Sequence, residues 1–249
     1  MAESNTCANH EAQRAQIQTV YTTLALQPEQ AFAWGKGRAN ARALGYAAPW
    51  LDALPESVWE SAAAVGNPFA LGLLRPGEVV VDIGCGAGAD LCIAAQMTGP
   101  NGQAIGVDFT PAMIAKSRDN VKRVGLGNVI LHQSDIEALP LPDACADVVL
   151  SNGSINLAAD KTRVFQEIFR VLRPGGRLQF ADMVRRAKSD AATPSCDSWA
   201  DCVAGTLAPE RYLELLRMAG FEAVELVAWT GYHTAATTEG ATFRALKPA

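Results

Sequence analysis

The sequence predicts an α/β fold in which a doubly wound, mostly parallel sheet is covered by helices on both faces. From residue 79 onward, strand-like and helix-like segments alternate along the chain. The strand-like segments are almost continuously apolar, as expected for parallel strands that are buried on both sides. The last two of them are joined without room for a helix, which predicts an antiparallel pair at one edge of the sheet. At 249 residues, the chain is long enough for one such domain with an extension.

The elements of the parallel part follow one another in a regular order. A continuous β-branched run predicts the first strand at 79–83, and a glycine loop leads from it into a helix at 89–97. Pro111 marks the first turn of a second helix. Asp160 is a candidate N-cap of a third helix, which has Leu172 as its last apolar residue and stops at the following Arg-Pro-Gly-Gly sequence. The remaining parallel strands are predicted at 103–107, 128–132, 147–151 and 177–184.

The two ends of the chain differ from this alternating part. An amphipathic helix is predicted at 209–219, and strands at 222–229 and 241–247 form the antiparallel edge pair. The Ala-rich N-terminal part is predicted to be mostly helical. We therefore expect an N-terminal helical cap at 1–67 and a sheet domain at 68–249.

Composition and charge narrow the possible partners and location. The net charge is −5 and no basic run is present, so a nucleic-acid-binding surface is not expected. The chain has neither the apolar core of a secretory signal nor a stretch long enough to span a membrane, which predicts a soluble, cytoplasmic protein without membrane contact. The six cysteines form no C-x-x-C pair and only three histidines are present, so no metal site is predicted.

The sequence VVVDIGCGAGAD at 79–90 places three glycines between a strand and a helix, where a phosphate, a dinucleotide or another ligand can bind. No Lys-Ser or Lys-Thr follows, which excludes a P-loop. A dinucleotide site remains possible, because Asp108 ends the next strand where a ribose-binding acid is expected. However, Asp82 stands two residues before the first glycine, and a carboxylate there would repel a pyrophosphate and attract a cation.

S-adenosylmethionine has a ribose, a carboxylate and a cationic end, and it fits this pattern. The backbone amides of the loop would bind its carboxylate, Asp82 would favour its cationic end, and Asp108 would accept both ribose hydroxyl groups. Met113 is a candidate for covering the adenine, and Asp135 for accepting a hydrogen bond from the adenine amino group. The candidate cofactor-binding residues are Asp82, Gly84, Gly86, Gly88, Asp108, Phe109, Met113, Asp135, Ile136 and Asn152.

These segments resemble the class I S-adenosylmethionine-dependent methyltransferases in order and spacing. Within that class the chain is most similar to the arsenite methyltransferases, through Gly-Asn-Pro at 66–68, IGVDFTP at 105–111, SNGSINLAADK at 151–161 and WADCVAG at 199–205. The resemblance implies a Rossmann-like, seven-stranded sheet whose last strand is antiparallel. It also implies S-adenosylmethionine as the cofactor and a small molecule as the methyl acceptor.

The chain departs from the arsenite methyltransferases at the cysteines that bind arsenic, a soft metalloid that prefers thiolate ligands. Val65 and Gly153 stand where that family has cysteines, and only Cys202 matches. We therefore expect methyl transfer to another small acceptor, with Gly153, Cys202 and Cys196 as candidate residues on the acceptor side. Arsenite methylation by Cys202 together with Cys196 or Cys7 stays an alternative, as does cofactor binding without catalysis.

The acceptor is predicted to lie between the cap and the carboxyl ends of the fourth and fifth strands, since ligands bind at this edge of an α/β sheet. In the cap, Phe32 and Trp34 stand beside Lys36 and Arg38. This segment either closes over an anionic substrate or packs as a structural helical hairpin, and the second interpretation is slightly favoured. Replacing a cysteine by Gly153 is expected to leave room for an organic acceptor.

Overall fold

A computed structural model describes residues 10–186 and 205–249 of the chain. The helices are α1 (His10–Leu26), α2 (Gly37–Ala43), α3 (Ala48–Ala53), α4 (Glu56–Trp59), α5 (Ala89–Thr98), α6 (Pro111–Val124), α7 (Lys161–Val171) and α8 (Pro209–Met218). The strands are β1 (Val79–Ile83), β2 (Gln103–Asp108), β3 (Val129–Gln133), β4 (Ala146–Asn152), β5 (Leu172–Arg185), β6 (Glu222–Trp229) and β7 (Thr238–Leu246).

The seven strands form one sheet in the order β3-β2-β1-β4-β5-β7-β6. The first five strands in this order are parallel. Side chains alternate between the faces of each strand. Val81 and Ile83 therefore join one apolar cluster, to which α7 and α8 contribute, while Val80 joins another with α5 and the cap. The predicted doubly wound α/β fold is confirmed.

The edge hairpin is also confirmed, with one refinement. β7 pairs antiparallel with β5 on one side and with β6 on the other. The antiparallel strand is therefore the second from the edge, and the outermost strand is β6. The rings of Phe180 on β5 and Phe243 on β7 stack with centroids 4.9 Å apart, and this contact stabilises β7 in its place between β5 and β6.

The predicted boundary between α7 and β5 was wrong, and β7 begins at Thr238 rather than at residue 241. α7 ends at Val171, and Leu172 is extended (φ −68°, ψ 139°) and begins β5. Leu172 pairs with Ala146, and a register irregularity follows before the regular ladder resumes at Val148. The Pro-Gly-Gly sequence thus lies within a strand, and the N–H of Gly175 donates to the carbonyl of Lys247 at 3.0 Å.

The N-terminal part, described from residue 10, contains α1 to α4 joined by short loops. Its residues Leu51, Leu54 and Trp59 share an apolar cluster with Leu91 of α5 and Val80 of β1. The division at residue 67 therefore stays a prediction, since the core is continuous across it. Within residues 10–186 and 205–249, none of the helices combines the length and the apolar character that crossing a bilayer requires.

Candidate active site

A cleft opens where β1, β2 and β4 end, and α1 forms its roof. Its cavity volume is about 140 Å³, and it is open to solvent on one side. Asp82 near the end of β1, Asp108 at the end of β2 and Asn152 at the end of β4 all face it. Because β2 and β4 flank β1 on opposite sides, this is the point where the strand order reverses and ligands of α/β sheets bind.

The structure brings the predicted cofactor-binding residues together in this cleft, with the exception of Gly88. Gly88 caps α5, and a Cβ atom there would lie 2.6 Å from Oγ of Ser117 on α6, so this glycine allows two helices to pack closely. Gly84 and Gly86 line the cleft and have left-handed backbones, with φ of +70° and +52°. A Cβ atom on Gly84 would lie 2.3 Å from Cβ of Ser154, whereas Gly86 has only Sδ of Met113 at 4.0 Å.

Asp108 holds the glycine loop in place while facing the cleft. One carboxylate oxygen accepts a hydrogen bond from the N–H of Gly86 at 2.9 Å, and the other from the N–H of Thr110 at 2.8 Å. Burial raises the pKa of Asp108, and these backbone donors oppose that rise. Each oxygen has a second lone pair, so the carboxylate can still accept from two neighbouring hydroxyl groups.

Asp82 is the clearest sign that a ligand belongs in the cleft. Its side chain is buried, and Oδ2 has no hydrogen-bond partner. Burial and the nearby carboxylates of Asp90 and Asp108 raise the pKa of Asp82. A buried polar atom without a partner is costly. A cationic or hydrogen-bond-donating ligand would relieve that cost.

The opposite end of the cleft combines apolar side chains with an ion pair. Ile17 and Tyr21 of α1 pack near Phe109. Arg14 lies with its guanidinium 6.0 Å from the centre of the Phe109 ring and forms an ion pair with Asp135 at 2.5 Å. Asp135 is therefore already paired with α1. The cap residues Arg14, Ile17 and Tyr21 were missed by the sequence analysis.

Met113 and Ile136 also line the cleft. Met113 is buried and packs with Leu24 of α1 and Ala87 of the glycine loop. It therefore fills core space and at the same time borders the cleft.

Asn152 on β4 connects the cap to the first turn of α5. Its amide nitrogen donates to the hydroxyl of Tyr46 at 2.9 Å, to a carboxylate oxygen of Asp90 at 3.0 Å and to the carbonyl of Gly66 at 3.0 Å. Its amide oxygen accepts from the N–H of Val65 at 2.9 Å. Tyr46 and Asp90 line the same cleft and were not predicted from the sequence.

On the acceptor side, the structure places Gly153 and Val65 next to each other. A Cβ atom on Gly153 would lie 3.2 Å from Cγ1 of Val65, so the expected free space beside Gly153 is occupied. Gly153 also has a φ of +72°, which disfavours any side chain. The candidate cysteines Cys7, Cys196 and Cys202 lie outside the described residues.

The cationic side chains of Lys36 and Arg38 bind backbone carbonyls of the cap itself. Lys36 donates to the carbonyls of Pro28 and Glu60, and Arg38 donates to the carbonyls of Leu51 and Leu54. These contacts favour the structural interpretation of this segment over the substrate-binding one. Phe32 and Trp34 pack on α1 rather than on the sheet, and the ring centroids of Trp34 and Tyr21 are stacked 6.4 Å apart.

The cleft fits S-adenosylmethionine by its own chemistry. The partnerless oxygen of Asp82 suits a cationic group, the glycine loop leads into the N-terminus of α5, where a carboxylate is favoured, and Asp108 suits a ribose. Together, the sheet order and this cleft match the fold and the cofactor cleft of the class I S-adenosylmethionine-dependent methyltransferases.

Comparison with known proteins identifies the family. A family model described as a methyltransferase domain matches residues 74–220, and the chain belongs to this family. The chain is 42% identical over 189 residues to an arsenite methyltransferase of Halobacterium salinarum, a match that covers 76% of this chain and 48% of the relative. It spans about half the length of the curated arsenite methyltransferases it matches.

Solved structures agree on the fold. An arsenic(III) S-adenosylmethionine methyltransferase from Chlamydomonas reinhardtii superposes with a TM-score of 0.58 at 26% identity, covering 86% of this chain and 75% of that one. The (4+2)-cyclase SpnF superposes with a TM-score of 0.65 at 23% identity over 95% of this chain and 94% of that one. Because a methyltransferase and a cyclase both match, the fold alone leaves the acceptor open.

Proposed function

We propose that this chain transfers the methyl group of S-adenosylmethionine to a small organic acceptor in the cytoplasm, and that arsenite is a poor acceptor. The supporting observation is the contact between Val65 and Gly153. The resemblance to arsenite methyltransferases places arsenic-binding cysteines at these two positions, and the structure shows that they are neighbours. In this chain Val65 has an apolar side chain and Gly153 has no side chain, so neither residue can bind a metalloid.

The thiols of the described residues do not replace this pair. Cys85 borders the cleft, but burial and the carboxylates of Asp108 and Asp82 raise its pKa well above the usual value. Burial raises the pKa of Cys92 to about 12. A thiol that keeps its proton is a poor ligand for a soft metalloid. Cys145, the third cysteine of the described residues, does not line the cleft, so arsenic binding there would need cysteines outside these residues.

For methyl transfer the protein mainly has to position the acceptor, because the sulfonium of the cofactor supplies an already activated methyl group. The task of the chain is to align the acceptor with that methyl group in a site largely closed to water. The apolar side chains of Ala63 and Leu157 line the cleft together with Gly153. Such walls suit the organic part of an acceptor.

The proposal is tested with arsenite, glutathione and labelled S-adenosylmethionine. We expect little methylated arsenic from the unchanged chain, and efficient methylation would contradict the arsenite part of the proposal. Val65→Cys together with Gly153→Cys should create a dithiol site that binds arsenic(III), measured as bound arsenic per protein. The two single variants are the controls, and Gly153→Cys alone should fold less well because Val65 crowds it.

A second measurement tests methyl transfer itself. The protein is incubated with labelled S-adenosylmethionine and a pool of small metabolites, and label in any small molecule supports transfer. Tight cofactor binding with no label transferred to any metabolite would instead favour a binding protein without catalytic activity. Stabilisation by NADH in place of S-adenosylmethionine would favour a nicotinamide-dependent reductase.

A further inference from the structure

Asp90 is a buried carboxylate in the cofactor cleft to which the glycine pattern assigns no role. It lies in the first turn of α5 and borders the cleft near Asp82. The hydroxyl of Tyr46 donates to its Oδ1 at 2.7 Å, and the amide of Asn152 donates to its Oδ2 at 3.0 Å. Both donors are themselves buried or half-buried, so these hydrogen bonds are shielded from water.

The two neighbouring acids differ in what supports their charge. Asp82 has one oxygen with no partner, whereas both oxygens of Asp90 accept from a side chain. Hydrogen bonds to a carboxylate favour its ionised form, and two close carboxylates disfavour each other's charge. Burial raises the pKa of both, Tyr46 and Asn152 oppose the rise at Asp90, and Asp90 raises that of Asp82 further. The ionised form of Asp90 is therefore supported by two side-chain donors, whereas Oδ2 of Asp82 lacks such a donor.

We infer that Asp90, held in place by Tyr46 and Asn152, binds the ammonium group of the cofactor. Each of its oxygens has a second lone pair for this contact, and partnerless Oδ2 of Asp82 is available beside it. Through Tyr46, the N-terminal cap then contributes to cofactor recognition as well as covering the cleft. This inference rests on the proposed function, because it assigns a residue within the same cleft.

The competing explanation is that Tyr46, Asp90 and Asn152 only fasten the cap to the sheet domain. Two ligands separate the explanations. S-adenosylhomocysteine carries the ammonium group, whereas 5′-methylthioadenosine keeps the adenosine and the sulfur but lacks the whole amino-acid end. A residue that binds the ammonium affects only the first ligand, while a residue that supports the shape of the cleft affects both.

The experiment measures both ligands by calorimetry with the full chain. We expect Asp90→Asn to weaken S-adenosylhomocysteine roughly 10- to 100-fold, the usual loss for a hydrogen bond to a charged group, and to change 5′-methylthioadenosine by less than about twofold. Tyr46→Phe keeps the ring and removes one donor to Asp90, so it should weaken only the first ligand, by roughly three- to tenfold. Asp147→Asn is the matched control, because Asp147 accepts from the N–H of Val79 at 2.8 Å at the other end of β4.

Each outcome has a distinct meaning. Equal weakening of both ligands in Asp90→Asn, or of neither, would overturn the inference and leave the proposed function standing. If Asp90→Asn does not fold, the same comparison in Tyr46→Phe decides. If the unchanged chain binds neither ligand, the proposed function itself fails.

Discussion

Asp182 on β5 lies outside the cleft, and it makes the stability of this protein sensitive to pH. Its side chain is fully buried. One oxygen accepts from the N–H of Met183 at 2.8 Å, and the other from the N–H of Asn156 at 2.8 Å and the hydroxyl of Tyr212 at 3.4 Å. Burial nevertheless raises the pKa of Asp182 from 3.8 to about 7, and the hydrogen bonds and the charge of Lys161 offset only part of that rise.

The magnitude follows from this difference between the folded and unfolded chain. Between pH 4 and 7 the folded protein keeps a proton on Asp182 that the unfolded chain has lost, so the free energy of unfolding falls as the pH rises. Each pKa unit corresponds to about 1.4 kcal/mol. The full effect of Asp182 is thus about 4 kcal/mol, nearly complete at pH 7, and about 2 kcal/mol of it falls between pH 5 and 7.

Asp182→Asn removes this titration, since an amide does not ionise in this range. Urea unfolding of both proteins at pH 5, 6, 7 and 8 gives the difference in unfolding free energy at each pH. We expect the original protein to lose about 2 kcal/mol relative to the variant between pH 5 and 7, and little beyond. Asp52→Asn changes an exposed acid and serves as the control. A difference that stays constant with pH would refute the reasoning.

Two further predictions concern the cleft. Asp108→Asn should weaken S-adenosylmethionine by about 1–3 kcal/mol, the usual loss for hydrogen bonds to a charged acceptor, and unchanged affinity in calorimetry would remove Asp108 from the site. Arg14→Gln breaks the ion pair with Asp135 that ties α1 across the mouth, so cofactor dissociation in stopped-flow measurements should accelerate about two- to fivefold, because partly exposed pairs contribute about 0.2–1 kcal/mol. Slower or unchanged dissociation would show that this pair does not restrain the cofactor.

The fold was predictable because its signals are local. β1 is a run of β-branched residues, and Pro111 and Asp160 mark the starts of α6 and α7 in the structure as in the sequence. The exception was Leu172, whose conformation is decided by pairing with Ala146 rather than by its neighbours in sequence. Helical spacing of apolar residues cannot reveal a strand partner 26 positions away.

The arrangement of the candidate site was predictable only where its residues stand at the ends of consecutive strands. The glycine loop and Asp108 end consecutive strands, so their proximity follows from the parallel sheet. Tyr46 and Asn152 are 106 positions apart, and their contact arises from the docking of the cap. Asp90 offered a signal, an acid in the first turn of a helix, but such acids usually serve only to stabilise the helix N-terminus.

The position of β7 has a consequence for how the protein is made. A chain emerges from the ribosome from its N-terminal end, so β6 is complete before the strand that separates it from β5. Until residues 238–246 follow, β5 lacks its antiparallel neighbour and β6 lacks any partner in the described sheet. Both then expose unpaired backbone groups, a risk for association between nascent chains. A delay in the pairing of residues 238–246 with β5 and β6 would prolong this interval.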